Sequence, residues 1–422
     1  EIIEQTAPEG TDERIKYESM LAGLANYAKN FTSMIEFYGK STMLDDRKRR
    51  QAELANWIDQ SAERQATYGK TLATLDMLIQ ESQAHKARDL IVGYMRYTTM
   101  LPTATRLYRL ANEKLLDDME REPGYQTRDM TRFKSGMERI DRRYAASVEK
   151  ALLFEMLKRY SALPMDERFS EFDKVFKLGK TFNGAKLRRT LDRMYSKTKL
   201  NELDVRLAWM VKSVEEFKAS RDPFIQYAVA MYDTNMEQER DDKELAGKLM
   251  KVRPLYMQAI IAFNRDQDKP VYADANSSLR VAVGHVKGYS PQDGLRAEPF
   301  TRLEGILAKD SGDDPFDSPK KQLELIKQKQ YGDFYVKEID SVPVNFLSTL
   351  DSTGGNSGSP TLNGRAELVG LLFDGVYESI IADWGYDDDT NRSIQVDSRY
   401  MLWVMKYLDK ADRLLEEMEV VN

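Results

Sequence analysis

The chain has 422 residues, of which 31% are charged and 41% hydrophobic, with a formal net charge of −6 and no cysteine. That length accommodates about two to three domains. The lack of a basic excess argues against a nucleic-acid surface, and the lack of cysteine excludes disulfides and thiolate metal sites. No run approaches the roughly 18 apolar residues of a membrane-spanning helix, so no membrane insertion is expected. The first residue is Glu1 rather than Met, and the chain is expected to be a piece of something longer.

Residues 11 to about 262 are predicted to be helical. Apolar residues recur at three- and four-residue spacing, as in Leu21, Leu24, Ala25, Ala28, Phe31 and Ile35, then Leu72, Leu75 and Leu78. Breaks are placed at Pro102, Pro123-Gly124, Pro164, Asn183-Gly184 and Asp222-Pro223. The cations between Arg47 and Arg50 read as a solvated helix face, and the scattered methionines as core filler.

The pattern changes near Pro270. The alternation Leu279-Arg280-Val281-Ala282-Val283-Gly284 predicts a strand. An acidic loop, 310–317, and a short helix, Lys320 to Gln328, follow. Two strand-like runs come next, 342–347 and 366–373. A last helix is expected from Ser398 to about Glu417, with Tyr400, Leu402, Trp403, Met405 and Leu408 on its apolar face. The fold class is therefore α+β. A large helical domain (1–265) precedes a β-rich portion (266–397), which suits one antiparallel barrel, and a C-terminal helix (398–422).

Between the two strand-like runs lies Thr353-Gly354-Gly355-Asn356-Ser357-Gly358-Ser359-Pro360. Glycine permits the left-handed or closely approached backbone that turns several N–H groups toward one point. Such groups stabilise an oxyanion beside a nucleophile, and Ser357 is the candidate. The competing reading is a Gly/Asn/Ser-rich hairpin connection. A serine nucleophile needs a base, and the chain has two histidines, His85 and His285. His85 lies in a polar helical stretch and His285 follows Gly284, so both read as surface or turn residues. No base is assigned within this chain. Asp387-Asp388-Asp389 reads as solvated loop, and no metal or cofactor is indicated.

With those residues in view, the chain resembles the bacterial dipeptidyl-peptidase 7 and 11 family of serine exopeptidases. The resemblance is carried by Tyr272 to Val281, Val286-Lys287-Gly288-Tyr289, Thr353 to Pro360, Arg392 to Asp397 and Arg399 to Val404. It implies a chymotrypsin-like antiparallel barrel, of which this chain holds the C-terminal part, and a helical domain capping the active site. It also implies peptide substrates, release of dipeptides from free N-termini, the periplasm, and a homodimer. The catalytic His and Asp are expected in a barrel portion preceding the helices, so this chain alone is expected to be inactive.

The resemblance also implies roles for single residues. Ser357 is the nucleophile, and the N–H groups of Gly355 and Ser357 form the oxyanion hole. Asn356 stands where trypsin-like enzymes carry the aspartate that pairs with a new N-terminus, so no such activation is expected. Asn30, with Asn26 as the second choice at i, i+4 on one helix face, binds the substrate's amino group. Gly375 stands where members cutting after acidic residues carry arginine. It implies an apolar preference at P1, the residue before the cleaved bond, because an unpaired carboxylate is costly to bury. A non-catalytic peptide-binding protein with a degenerate barrel is the alternative.

Overall fold

The computed structural model describes residues 1–271, 273 and 276–421. Tyr272, Asp274 and Ala275 of the Tyr272 to Val281 motif lie outside the described residues. Two compact units emerge, Glu1–Ala25 with Glu53–Val271, and Asn26–Ala52 with Tyr272–Asn422. The division therefore differs from a single cut after residue 265. The Asn26–Ala52 stretch, helical in sequence and in structure, packs with the C-terminal portion.

The first unit is built of helices. Its core centres on the Met100–Glu113 helix, whose buried Met100, Ala104, Leu107, Tyr108 and Ala111 repeat at helical spacing. They pack with Phe224 and Tyr227 of the Pro223–Ala230 helix and with Leu153, Leu157 and Phe172. Several predicted breaks are helix starts. Asp222 caps the Pro223–Ala230 helix by accepting from Phe224 N at 2.9 Å, with Pro223 in the first turn. Asn183 caps Gly184–Lys197 in the same way, and Pro102 sits in the first turn of its helix. Glu149 is fully buried and accepts from Thr99 N and from Tyr195 Oη at 3.0 Å. Burial holds its carboxyl well above the usual range, at about 6.

The second unit carries one antiparallel sheet of five strands: β1 (Phe300–Arg302), β2 (Pro343–Ser348), β3 (Pro360–Leu362), β4 (Leu368–Gly375) and β5 (Ser393–Asp397). Their order is β1-β2-β5-β4-β3. The barrel expected from the sequence is here an open sheet with β1 and β3 at its edges. Leu303, Ile326, Tyr331, Val342, Val344 and Trp403 form the core under it, and Trp403 Nε1 donates to Gln330 O at 2.6 Å. The Lys320–Lys327 helix lies where the sequence places it.

Two predicted elements differ. Leu279 to Gly284 forms no strand, and Leu279, Val281 and Val283 are 94%, 81% and 86% exposed. Alternation says which side chains share a face, not which strand supplies the ladder, and no described strand pairs with this run. Pairing begins just after it, where His285 O accepts from Thr349 N at 3.0 Å and Lys287 N donates to Leu347 O at 3.1 Å. The last helix is also broken. Ser398–Trp403 passes into a π-turn at Val404–Leu408, Lys410 adopts φ +57°, and a separate helix spans Asp412–Glu416. The apolar stripe on the Asp12–Lys40 helix stays largely uncovered, with Tyr27, Phe31 and Ile35 exposed. Among the described residues no helix is long and apolar enough to cross a membrane, and no cluster of His, Asp and Glu could hold a metal.

Candidate active site

The Ser357 loop joins β2 to β3 and is tied to β4. Gly358 N donates to Leu372 O at 2.7 Å, and Leu372 N donates to Ser359 O at 3.0 Å. Asn356 closes the loop from inside: its Oδ1 accepts from Thr353 N at 3.0 Å, and its N–H donates to Thr353 O at 3.1 Å. Gly355 and Gly358 have φ of +102° and +87°, a region glycine enters without strain. Ser357 is exposed, and its Oγ donates to Phe373 O at 3.4 Å. Among the described residues the N–H groups of Gly355 and Ser357 meet no acceptor. The loop thus carries a hydroxyl and two N–H groups that meet no acceptor among the described residues, part of what an acyl-transfer site needs.

No base accompanies that hydroxyl within the described residues. His285 is exposed, and its backbone is used in pairing with Thr349. His85 precedes the Lys86–Tyr94 helix in the first unit.

Ser357 opens onto a cavity of about 580 Å³. Asn26, Asn30 and Met34 line one side, and the start of the Ser357 loop, the end of β4 and residues 379–393 line the rest. Asn30 is half-buried and Asn26 exposed, and among the described residues neither amide has a hydrogen-bond partner. The helix is held there by contacts the sequence does not announce. Buried Ser33 Oγ donates to Tyr377 O at 2.7 Å. Phe37 packs edge-on against Tyr377, and Tyr38 against Trp384. Arg47 donates to Trp384 O at 2.7 Å, so one of the cations read as solvated is an anchor.

Gly375 ends β4 opposite Ser393 and lines the cavity. A Cβ there would lie 2.8 Å from Ser379 Oγ. That hydroxyl is held by Val376 O at 2.8 Å and Arg392 O at 3.1 Å. Asp351, Asp374 and Asp383 supply carboxylates to the lining, and Arg392 is its one cation among the described residues. Arg392 is buried and spends its guanidinium on main-chain carbonyls: Lys287 O at 3.1 Å, Gly288 O at 3.1 Å, Asp388 O at 2.8 Å and Asn391 O at 2.6 Å. It stitches two loops together, with four of its five N–H groups given to main-chain carbonyls.

Comparison with known proteins accords with this architecture. The chain is 38% identical over 441 residues to an Asp/Glu-specific dipeptidyl-peptidase of Shewanella putrefaciens, covering 100% of this chain and 59% of that protein. It is 27% identical over 421 residues to dipeptidyl-peptidase 7 of Phocaeicola vulgatus, covering 97% and 56%. In fold it is similar to Porphyromonas endodontalis DPP11 in complex with the dipeptide Arg-Glu, with a TM-score of 0.74, 22% identity, and coverage of 99% of this chain and 57% of that one. The chain thus spans less than two thirds of the relatives it matches. The Peptidase S46 family model matches residues 1–420, and the chain belongs to that family.

Proposed function

We propose that the whole protein is a serine dipeptidyl-peptidase whose acyl-enzyme forms on Ser357. The observation that carries this reading is the single cavity shared by Ser357, the free amides of Asn26 and Asn30, and Gly375. An amide oxygen that accepts from the substrate's ammonium group, at a set distance from the nucleophile, measures two residues from the N-terminus. Asn30 holds that role and Asn26 supports it. The N–H groups of Gly355 and Ser357 receive the oxyanion. The general base lies outside the described residues, so this chain alone is inactive.

Gly375 leaves the P1 pocket without a charge partner, the cavity carries three aspartates, and Arg392 is already committed. P1 is therefore uncharged, with apolar residues foremost, although the Shewanella relative is described as Asp/Glu-specific. By resemblance, the protein works in the periplasm as a homodimer. The test is hydrolysis of dipeptidyl substrates by the whole protein, with free and acetylated N-termini. Cleavage confined to free N-termini and abolished by Ser357→Ala is expected. Equal cleavage of both forms refutes the reading.

A further inference from the structure

The helix that carries Asn26 and Asn30 and the loop that carries Ser357 are far apart in sequence, yet one segment touches both. It runs from the 3₁₀ helix Tyr377–Asp383 to Tyr386, and Ser379, Asp383 and Tyr386 line the cavity. At its start, Ser33 Oγ donates to Tyr377 O at 2.7 Å, and Ser33 is fully buried. A serine inside a helix often returns its hydroxyl to a carbonyl of its own helix; this one leaves its helix for another segment. Ser33 lies three residues after Asn30, on the same face, so the bond fixes the helix within one turn of that amide. Phe37 packs edge-on against Tyr377 with ring centres 5.6 Å apart, and Tyr38 against Trp384 at 5.3 Å.

The other end of the segment holds the nucleophile loop. Tyr386 Oη donates to Thr349 O at 2.8 Å. Thr349 directly follows β2, where the chain leaves the sheet toward Ser357. Between its ends the segment is braced. Ser379 Oγ reaches Val376 O at 2.8 Å and Arg392 O at 3.1 Å. Trp384 N donates to Ile381 O at 2.9 Å, and Gly385 N donates to the same carbonyl at 3.3 Å. Bonded internally and at both ends, the segment is a strut between the helix and the loop.

We infer that residues 377–386 are the spacer that sets how far the amides of Asn26 and Asn30 stand from Ser357, and that Ser33 and Tyr386 are the positioning residues that hold its two ends. This deepens the dipeptidyl-peptidase reading and rests on it for the role of the two amides. An enzyme that counts two residues from an N-terminus needs a fixed distance between anchor and nucleophile. Rate depends steeply on such placement, since a shift of about 1 Å can cost on the order of 10²-fold. Neither hydroxyl has to touch substrate, because each acts through the group it places.

The experiment compares the whole protein with its Ser33→Ala and Tyr386→Phe variants, each also made in a background carrying Asn26→Ala and Asn30→Ala. The substrate is Ala-Leu-Ala-Ala-Ala with a free N-terminus. Kinetics give kcat and KM, and mass spectrometry gives the length of the released fragments. Each single variant should lower kcat/KM for dipeptide release about fivefold or more, and raise the share of one- and three-residue fragments. In the background without the two amides, the same substitutions should change kcat/KM by less than about twofold, because the groups they place are gone. A loss of stability alone would leave fragment length unchanged. Equal losses in both backgrounds, or fragments of unchanged length, overturn the inference. If Ser33→Ala fails to fold, Tyr386→Phe decides by the same criteria, since it removes one hydroxyl from an exposed ring. If the unmutated protein releases no dipeptides, or the background without the amides releases them equally well, the dipeptidyl-peptidase reading fails and the inference with it.

Discussion

Replacing Gly375 with arginine tests the pocket directly. Its Cβ would come within 2.8 Å of Ser379 Oγ, closer than side chains tolerate. Ser379 must swing away from Val376 O and Arg392 O, and losing a neutral hydrogen bond costs about 1 kcal/mol. Against that, a guanidinium facing an acidic P1 side chain forms charge-assisted, two-pronged bonds, each worth roughly 1.5 to 3 kcal/mol. The balance favours a shift toward acidic P1 of about tenfold or more in relative kcat/KM, with lower stability. The assay pairs two dipeptidyl substrates of the whole protein, identical except for Leu or Asp at P1. Gly375→Arg should raise the Asp-to-Leu ratio. Adding Ser379→Ala removes the crowding hydroxyl and should recover stability without reversing the switch. An unmutated enzyme that already prefers Asp would show that another group supplies the positive charge, and the assignment of Gly375 to the P1 wall would fail.

Asn30→Ala in the whole protein should weaken use of free N-termini by roughly 1.5 to 3 kcal/mol, the worth of a hydrogen bond to a charged group; if Asn26→Ala removes the preference and Asn30→Ala leaves it, the two roles are reversed. The 422-residue chain alone should release no dipeptides, because loss of a triad member costs on the order of 10⁴ to 10⁶ in rate; dipeptide release that disappears with Ser357→Ala would place a base inside the chain. Glu149 gives a pH dependence of stability. Its carboxyl titrates at about 6 when folded against 4.5 ordinarily, so the folded state binds the proton more tightly. Its stabilising contribution is complete below pH 4.5 and is lost as pH rises through about 6, a difference of about 2 kcal/mol. Glu149→Gln should therefore melt increasingly above the parent as pH climbs from 4.5 to 7; an offset independent of pH would refute the assignment.

The sequence by itself determined what depends on near neighbours. Two of the strands that hold the Ser357 loop, β2 and β4, are visible as apolar runs, whereas the three-residue β3 that follows Ser357 directly is not, and the loop needs glycine at positions 355 and 358 because its own backbone turns there. Asp222-Pro223 and Asn183-Gly184 mark chain reversals for local reasons, although a capping side chain makes each a beginning rather than an end. Tertiary structure decided the rest. Leu279 to Gly284 alternates like a strand but has no described partner, and a ladder is a property of two segments. The last helix has an unbroken apolar face yet opens into a π-turn and a left-handed residue at Lys410. The Asn26–Ala52 stretch carries no local mark of belonging with residues 300 positions away. It is placed by Ser33 on the Tyr377 carbonyl and by Arg47 on that of Trp384, contacts that no periodicity encodes. Hydrophobic spacing specifies which face turns inward, but hydrogen bonds between distant segments specify what stands beside Ser357.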